Sequence, residues 1–232
     1  MPLCLRENSS LVPPCEFIGD ILLGIVFTGG DGPAPETVKR LIDKEAKGAF
    51  LVAADSGFSA MERAGFQPDW VIGDMDSLDD PSRLDALPPE RVIRFPHDKD
   101  FTDTELAFSH AVDRGCDDIW IIGGGGGRLD HLFGIRSLFE RDIFPRRWIT
   151  SAEDVRCIDT NISEVVDNGA VVSVFPLGAG PWEAKSDGLK WPLDDVRWNR
   201  GFFGLSNVAV NGGFSIDVKL GRFMVILPIR RI

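Results

Sequence analysis

Four short segments of this 232-residue chain carry the residue types that metal and phosphate chemistry needs. They are Ala54-Asp55-Ser56-Gly57, Gly73-Asp74-Met75-Asp76-Ser77, Asp98-Lys99-Asp100-Phe101-Thr102-Asp103, and Gly123 to Gly127 followed by Arg128-Leu129-Asp130-His131. Each follows an apolar run, so several strands would deliver carboxylates and bare amides to one sheet edge, where open α/β sheets hold their ligands. Two carboxylates about 5 Å apart repel by roughly 3 kcal/mol at an effective dielectric of about 20. A divalent cation relieves that repulsion, and hard oxygen ligands favour Mg²⁺ or Mn²⁺. The combination points to nucleotide chemistry.

Thr102 and Glu105 form a capping box ahead of Leu106, Ala107 and Ala111, which predicts a helix beginning at Thr102. Its free amides and dipole suit a phosphate, with Lys99 as a mobile positive charge and Asp98, Asp100 and Asp103 as oxygens at or behind a metal. Five consecutive glycines cost backbone entropy, which unusual torsions or close ligand approach would justify. The run is not a P-loop, which needs Gly-Lys and then Ser or Thr. Nor is it a dinucleotide fingerprint, because Arg128 stands where Gly or Ala is wanted. Arg128 instead suits bidentate contact with phosphate oxygens, with Asp130 to orient it or touch a metal. Gly29 and Gly30, in the Thr28-to-Pro33 turn, could face a base or ribose. Plainer roles compete at each place: Asp55 as a turn residue, Asp76 to Asp80 as caps before Pro81, Asp103 as a favourable charge on a helix dipole, His131 as a cap.

The elements that must position these residues are legible as alternating patterns. Strands are predicted over 24–27, 50–53, 70–72, 92–95 and 119–122, and helices over 36–47, 58–63, 102–114 and about 129–140. That alternation implies an α/β domain over 21–147 with a mostly parallel sheet. After about residue 147 the texture turns to β segments punctuated by Gly, Pro, Asn and Asp, including 170–175, 201–205 and 223–227. This predicts an all-β sandwich or barrel-like domain over 148–232. Residues 1–20 read as an N-terminal extension.

A formal charge of -11 argues against binding to nucleic acid or anionic membranes. Cys4, Cys15, Cys116 and Cys157 include no C-x-x-C pair, so neither a zinc framework nor a disulfide set is expected, and a reducing cytoplasm fits. The apolar stretch 21–27 is too short to span a bilayer.

Taken in order, the four segments resemble the thiamine pyrophosphokinase (thiamine diphosphokinase) family over roughly residues 24–228. Gly-Leu-Lys-Trp at 188–191 and Ser206-Asn207 look like that family's thiamine-side motifs. The resemblance implies an ATP-dependent diphosphoryl transfer to the thiamine hydroxyl, a C-terminal β-sandwich that binds thiamine, and a homodimer with active sites between subunits. It assigns Mg²⁺ to Asp74, Asp76 and Asp103, with Asp55 and Asp100 nearby. Lys99 and Arg128 neutralise developing oxygen charge. Gly29, Gly30, Gly57, Thr102, Gly125, Gly126, Gly127 and Asp130 fall to the nucleotide, and Trp191, Ser206 and Asn207 to thiamine. Asp76 and Asp103 are both candidates for the base. The chain departs from the family around Ser-Asn, with Gly204 two positions before Ser206 and Val208 after Asn207. Alternatives are a pyrophosphokinase for another alcohol such as a hydroxymethylpterin, a metal-dependent phosphohydrolase, and a noncatalytic nucleotide or thiamine sensor. Leu78 counts against the haloacid-dehalogenase-like form of the hydrolase, which prefers Thr or Val there. Intact carboxylates count against the sensor.

Overall fold

The computed structural model describes residues 22–229. The expected extension over 1–20 lies outside the described residues, as do Cys4 and Cys15. Strands β1 (Leu23–Phe27), β2 (Phe50–Ala54), β3 (Trp70–Gly73), β4 (Val92–Arg94) and β5 (Asp118–Ile122) run parallel in the order β5-β1-β2-β3-β4. Their near-continuous apolar runs are what a sheet covered on both faces requires. Ile25, Phe27, Leu51 and Ala53 pack with Val38 and Ile42 of α1 (Pro35–Glu45) and Phe58 and Met61 of α2 (Gly57–Arg63). The alternate residues Val26, Val52 and Ile121 pack with Ala107, Phe108 and Ala111 of α3 (Asp103–Asp113) and Ile135 and Leu138 of α4 (Leu129–Leu138). The result is three layers.

The chain leaves β1 for β2 on one side, and β5 later returns to the other side of β1. Such a reversal opens a crevice beyond the carboxyl ends of the two central strands. The glycine turns after β1 and β5 stand at that crevice.

The β region contains β6 (Arg147–Ile149), β7 (Glu153–Ile158), β8 (Ile162–Val165), β9 (Val171–Leu177), β10 (Glu183–Asp187), β11 (Gly204–Val208), β12 (Gly213–Leu220) and β13 (Arg222–Pro228). Its two antiparallel layers enclose Val172, Val174, Phe214, Ile216, Phe223 and Val225. One layer is the three-stranded sheet β10-β12-β8; the other continues the α/β sheet as β11-β9-β13-β7-β6-β5, giving ten strands in all. The switch occurs at β6, parallel to β5 and antiparallel to β7, and the expected boundary between 147 and 148 falls inside it. Arg147 is tolerated there, 5% exposed, because Asp154 receives it at 2.8 and 2.6 Å, Glu45 at 2.8 Å, and the Trp120 ring lies beneath it. The strand expected over 201–205 begins instead at Gly204. Residues 199–202 close a tight turn in which Asn199 accepts from the amides of Gly201 and Phe202.

Candidate active site

A cleft of about 490 Å³ opens at the crevice, lined by the ends of β1, β2 and β3, the start of α3 and the glycine run. Asp55, Asp74, Asp76, Lys99, Thr102, Asp103, Gly29, Gly30, Gly125, Gly126, Gly127 and Arg128 all face it. Five segments separated by up to about a hundred positions in sequence thus meet in one place.

The carboxylates form two groups that share Asp74. Asp55, Asp74 and Asp103 each bring an oxygen within 4.8 Å of the others, and Asp74, Asp76 and His97 do the same nearer the surface. Asp55 holds its place at the end of β2 with a φ of 45°, its amide bonded to Ile72 O at 2.9 Å. A left-handed torsion in a non-glycine residue is strained, and such strain gathers at functional sites. Asp55 Oδ1 is buried without a hydrogen-bond partner, and Asp103 Oδ1, also buried, has only the Lys99 ammonium, 3.2 Å away. Buried carboxylate oxygens left so are costly, and a hard divalent cation matches both their chemistry and their spacing. The triad fits Mg²⁺ or Mn²⁺. The grouping differs from the expected Asp74, Asp76 and Asp103, because Asp76 points outward, bonding Ser77 Oγ at 2.9 Å and lying 3.4 Å from His97 Nε2.

Lys99 is enclosed by this cluster, 2.8 Å from Asp74 Oδ2 and 3.2 Å from Asp103 Oδ1. Its hydrogen bond lowers the Asp74 pKa. Burial raises that of Asp103, helped by the neighbouring Asp74 and Asp55 charges and opposed by Lys99. Burial works against the Lys99 ammonium, but its two carboxylate partners outweigh it and raise the pKa. The capping box at Thr102 is complete: Glu105 N donates to Thr102 Oγ1 at 3.2 Å, and Thr102 N to Glu105 Oε2 at 3.0 Å. That cap fixes the first turn of α3, and hence Asp103.

The glycine loop is braced from behind. Asp31 and Gly125 exchange backbone hydrogen bonds at 2.7 and 3.0 Å, tying the turn after β1 to the turn after β5. A Cβ at Gly125 would come within 2.6 Å of Asp31 O and 2.9 Å of Thr150 Cβ, so only glycine fits. Trp148 donates its indole N–H to Gly123 O at 2.8 Å. Arg128 is exposed and paired with Asp130 at 3.1 and 2.5 Å, an arrangement that leaves the guanidinium free to move toward an anion.

Several expectations need correction. Gly57 does not line the cleft; it is buried where α2 crosses the end of β1, and its role is steric. Asp100 is exposed outside the lining, and Asp130 reaches the cleft only through Arg128. His131 caps nothing, since α4 has no side-chain cap, and it lines the cleft instead. The structure adds His97, Trp148 and the Thr28–Thr104 hydroxyl pair, 2.6 Å apart, to the residues that shape or brace the cleft. The signal for Trp148 was available: a buried indole N–H needs an acceptor.

A family model described as the thiamin pyrophosphokinase catalytic domain matches residues 41–144. A second, for the thiamin pyrophosphokinase vitamin B1 binding domain, matches residues 159–222. The chain belongs to the thiamin pyrophosphokinase family. It is 26% identical over 151 residues to the thiamine pyrophosphokinase of Bacillus subtilis strain 168, covering 62% of this chain and 70% of that one. The crystal structure of a Bacillus subtilis thiamine pyrophosphokinase superposes with a TM-score of 0.72 at 24% identity, over 90% of this chain and 99% of the other. One from Geobacillus thermodenitrificans gives 0.68 at 26%, over 91% and 99%. The yeast thiamin pyrophosphokinase shares the fold at 0.60 and 16%, over 92% and 88%.

The catalytic-domain match of this thiamin pyrophosphokinase family member spans the carboxylates and glycine loop, and the vitamin B1 match spans Trp191, Ser206 and Asn207. None of those three lines the cleft. Trp191 is 54% exposed with Lys190 Nζ 4.6 Å above its ring, and Ser206 is exposed at a φ of 55°. Asn207 is buried. Its Nδ2 donates to Trp191 O at 2.6 Å, while Oδ1 accepts from Trp191 N at 3.1 Å and Val208 N at 2.9 Å. Its amide is therefore spent on the backbone and serves to hold Trp191 outward. Asn207→Ala is expected to cost roughly 1–3 kcal/mol by leaving those groups unpaired. Thermal melting would register that as a loss of several degrees, and an unchanged midpoint would show the clamp to be dispensable.

Proposed function

We propose that this chain is a thiamine diphosphokinase that moves the β,γ-diphosphoryl group of ATP to the hydroxyl of thiamine. The observation that carries this reading is the meeting of the Asp55-Asp74-Asp103 cluster and the glycine loop in one cleft, on a chain matching both halves of the family. The thiamine oxygen bonds to the β-phosphorus as the bond from that phosphorus to the α–β bridging oxygen breaks; AMP leaves, and the hydroxyl proton passes to Asp76 or Asp103, the two candidates for the base.

Asp55, Asp74 and Asp103 hold Mg²⁺, with Asp76 and His97 beside them at the mouth. When bound, the metal neutralises triphosphate charge and orients the reacting phosphoryl group. Lys99 and Arg128 add positive charge where oxygen charge develops. The amides of Gly123, Gly124 and Gly125 are taken by Ile149 O, Gly29 O and Asp31 O, so it is Gly126 and Gly127 that offer backbone N–H groups to the phosphates without side-chain hindrance, and Thr102 presents the start of α3 to them. Gly29 and Gly30 flank the nucleotide on the β1 side.

Trp191 stacks on thiamine, a flat cationic ligand for which an exposed indole is the best aromatic partner. Because Trp191 lies outside the cleft's lining within one chain, the reading includes a homodimer in which it serves the partner's cleft. Exposed Val171, Phe202, Phe203 and Leu205, around edge strand β11, supply apolar surface for such an association. Free, buried Cys116 and Cys157, with thiol pKa values pushed up to about 12 by burial, suit a reducing cytoplasm. Among the described residues, no helix is long and apolar enough to cross a membrane.

Trp191→Ala should raise the thiamine KM about tenfold through lost stacking and cation–π attraction while leaving the ATP KM within about twofold. Steady-state kinetics with each substrate varied in turn decides this; equal changes in both constants would remove Trp191 from the thiamine site. Offering a hydroxymethylpterin in place of thiamine tests the acceptor, and preferential turnover of the pterin would overturn the thiamine assignment.

A further inference from the structure

Lys99 is held in a way that a phosphate-binding role alone does not require. Only 11% of its side chain is exposed, and its Nζ lies 2.8 Å from Asp74 Oδ2 and 3.2 Å from Asp103 Oδ1. Asp74 and Asp103 are two of the three residues whose oxygens converge within 4.8 Å. The ammonium therefore engages the same carboxylates that suit a divalent cation. Two cations at those oxygens repel each other. A lysine can yield: its charge is a point on a flexible four-carbon stem, and it can be aimed elsewhere without losing its proton. The anionic end of a triphosphate in the same cleft is the natural place for it to go, since Thr102 and the glycine loop line the cleft together with Lys99.

We propose that Lys99 is an exchangeable counter-ion: its ammonium holds Asp74 and Asp103 together until a divalent cation takes their oxygens, and it then turns to the triphosphate. This inference rests on the diphosphotransferase reading of the site. It gives Lys99 opposite effects on two ligands, competing with the metal and attracting the nucleotide. A lysine that only binds phosphate would have no effect on the metal alone, and one that only supports the carboxylates would help both ligands.

The test is a titration of the full chain with Mn²⁺ alone, free ion being read by electron paramagnetic resonance at neutral pH, for wild type, Lys99→Met and Lys99→Arg. Lys99→Met should bind Mn²⁺ about tenfold tighter than wild type, within the usual range of site-to-site coupling, and Lys99→Arg should stay within about twofold of it. Binding of a non-hydrolysable ATP analogue with saturating Mn²⁺ should weaken in Lys99→Met. Unchanged or weaker Mn²⁺ binding in Lys99→Met overturns the exchange. Circular dichroism checks folding, and Lys99→Gln, neutral but polar, takes the place of Lys99→Met if that variant does not fold. Asp74→Asn separates the two levels of the argument. Unaltered Mn²⁺ affinity in that variant would remove the cation from this cluster and the site reading with it, whereas failure confined to the Lys99 variants would leave the reading standing.

Discussion

Asp74→Asn is expected to lower turnover by about a thousandfold, the scale seen when a group stabilising transition-state charge is removed. Asp74 is the residue the two carboxylate groups share, and it also receives Lys99 at 2.8 Å. The change removes the charge that any cation in either group relies on, while the isosteric amide keeps the shape. Folding should survive, because the carboxylate packs against no hydrophobic cluster and lies at a sheet edge facing the cleft. Turnover measured with saturating thiamine, beside a thermal melt, checks both halves of the expectation. Activity within tenfold of wild type would mean that Asp74 does not hold the metal on which the reaction depends.

Gly57→Ala should have its large effect on stability. A Cβ at Gly57 would lie far inside the sum of its own and the Phe27 carbonyl oxygen's van der Waals radii, and within 2.8 Å of Thr28 N. Both are backbone atoms at the carboxyl end of β1, and neither can rotate away as a side chain would. Overpacking of this kind costs about 3 kcal/mol. For a chain of this length that is a fall of roughly 6–12 °C in the thermal midpoint. Thr28 and Gly29 line the cleft, so any shift of β1 that relieves the clash should also weaken nucleotide binding. A melting temperature unchanged by Gly57→Ala would contradict the packing described for α2 on β1.

The sequence made the α/β half and the contents of the cleft legible, for a physical reason. Buried parallel strands need unbroken apolar runs, and ligand-facing turns need Gly and Asp, so the two signals alternate along residues 24–140. The Thr102–Glu105 capping box located the start of α3 to the residue. Relations between segments distant in the chain were less visible. His97 joins Asp74 and Asp76 only because β3 and β4 are neighbours whose following loops converge, and spacing does not reveal that. The resemblance gives Gly57 to the nucleotide, but a glycine needed for close packing of protein on protein looks the same in sequence as one needed for close approach of a phosphate. Asn207 shows the same ambiguity among polar residues: its amide suits a ligand, but the backbone of Trp191 uses it. Nor did the change in texture near residue 147 reveal that a single sheet runs through it. The short strand β6 pairs parallel on one side and antiparallel on the other, a property of its neighbours and not of its own three residues.

The central claim is tested most directly by incubating the purified protein with ATP, Mg²⁺ and thiamine and resolving nucleotides and thiamine species by chromatography over time. Diphosphoryl transfer requires AMP and thiamine diphosphate to appear together, in equal amounts. ADP formed with thiamine monophosphate, or free phosphate released with thiamine left unchanged, would contradict it.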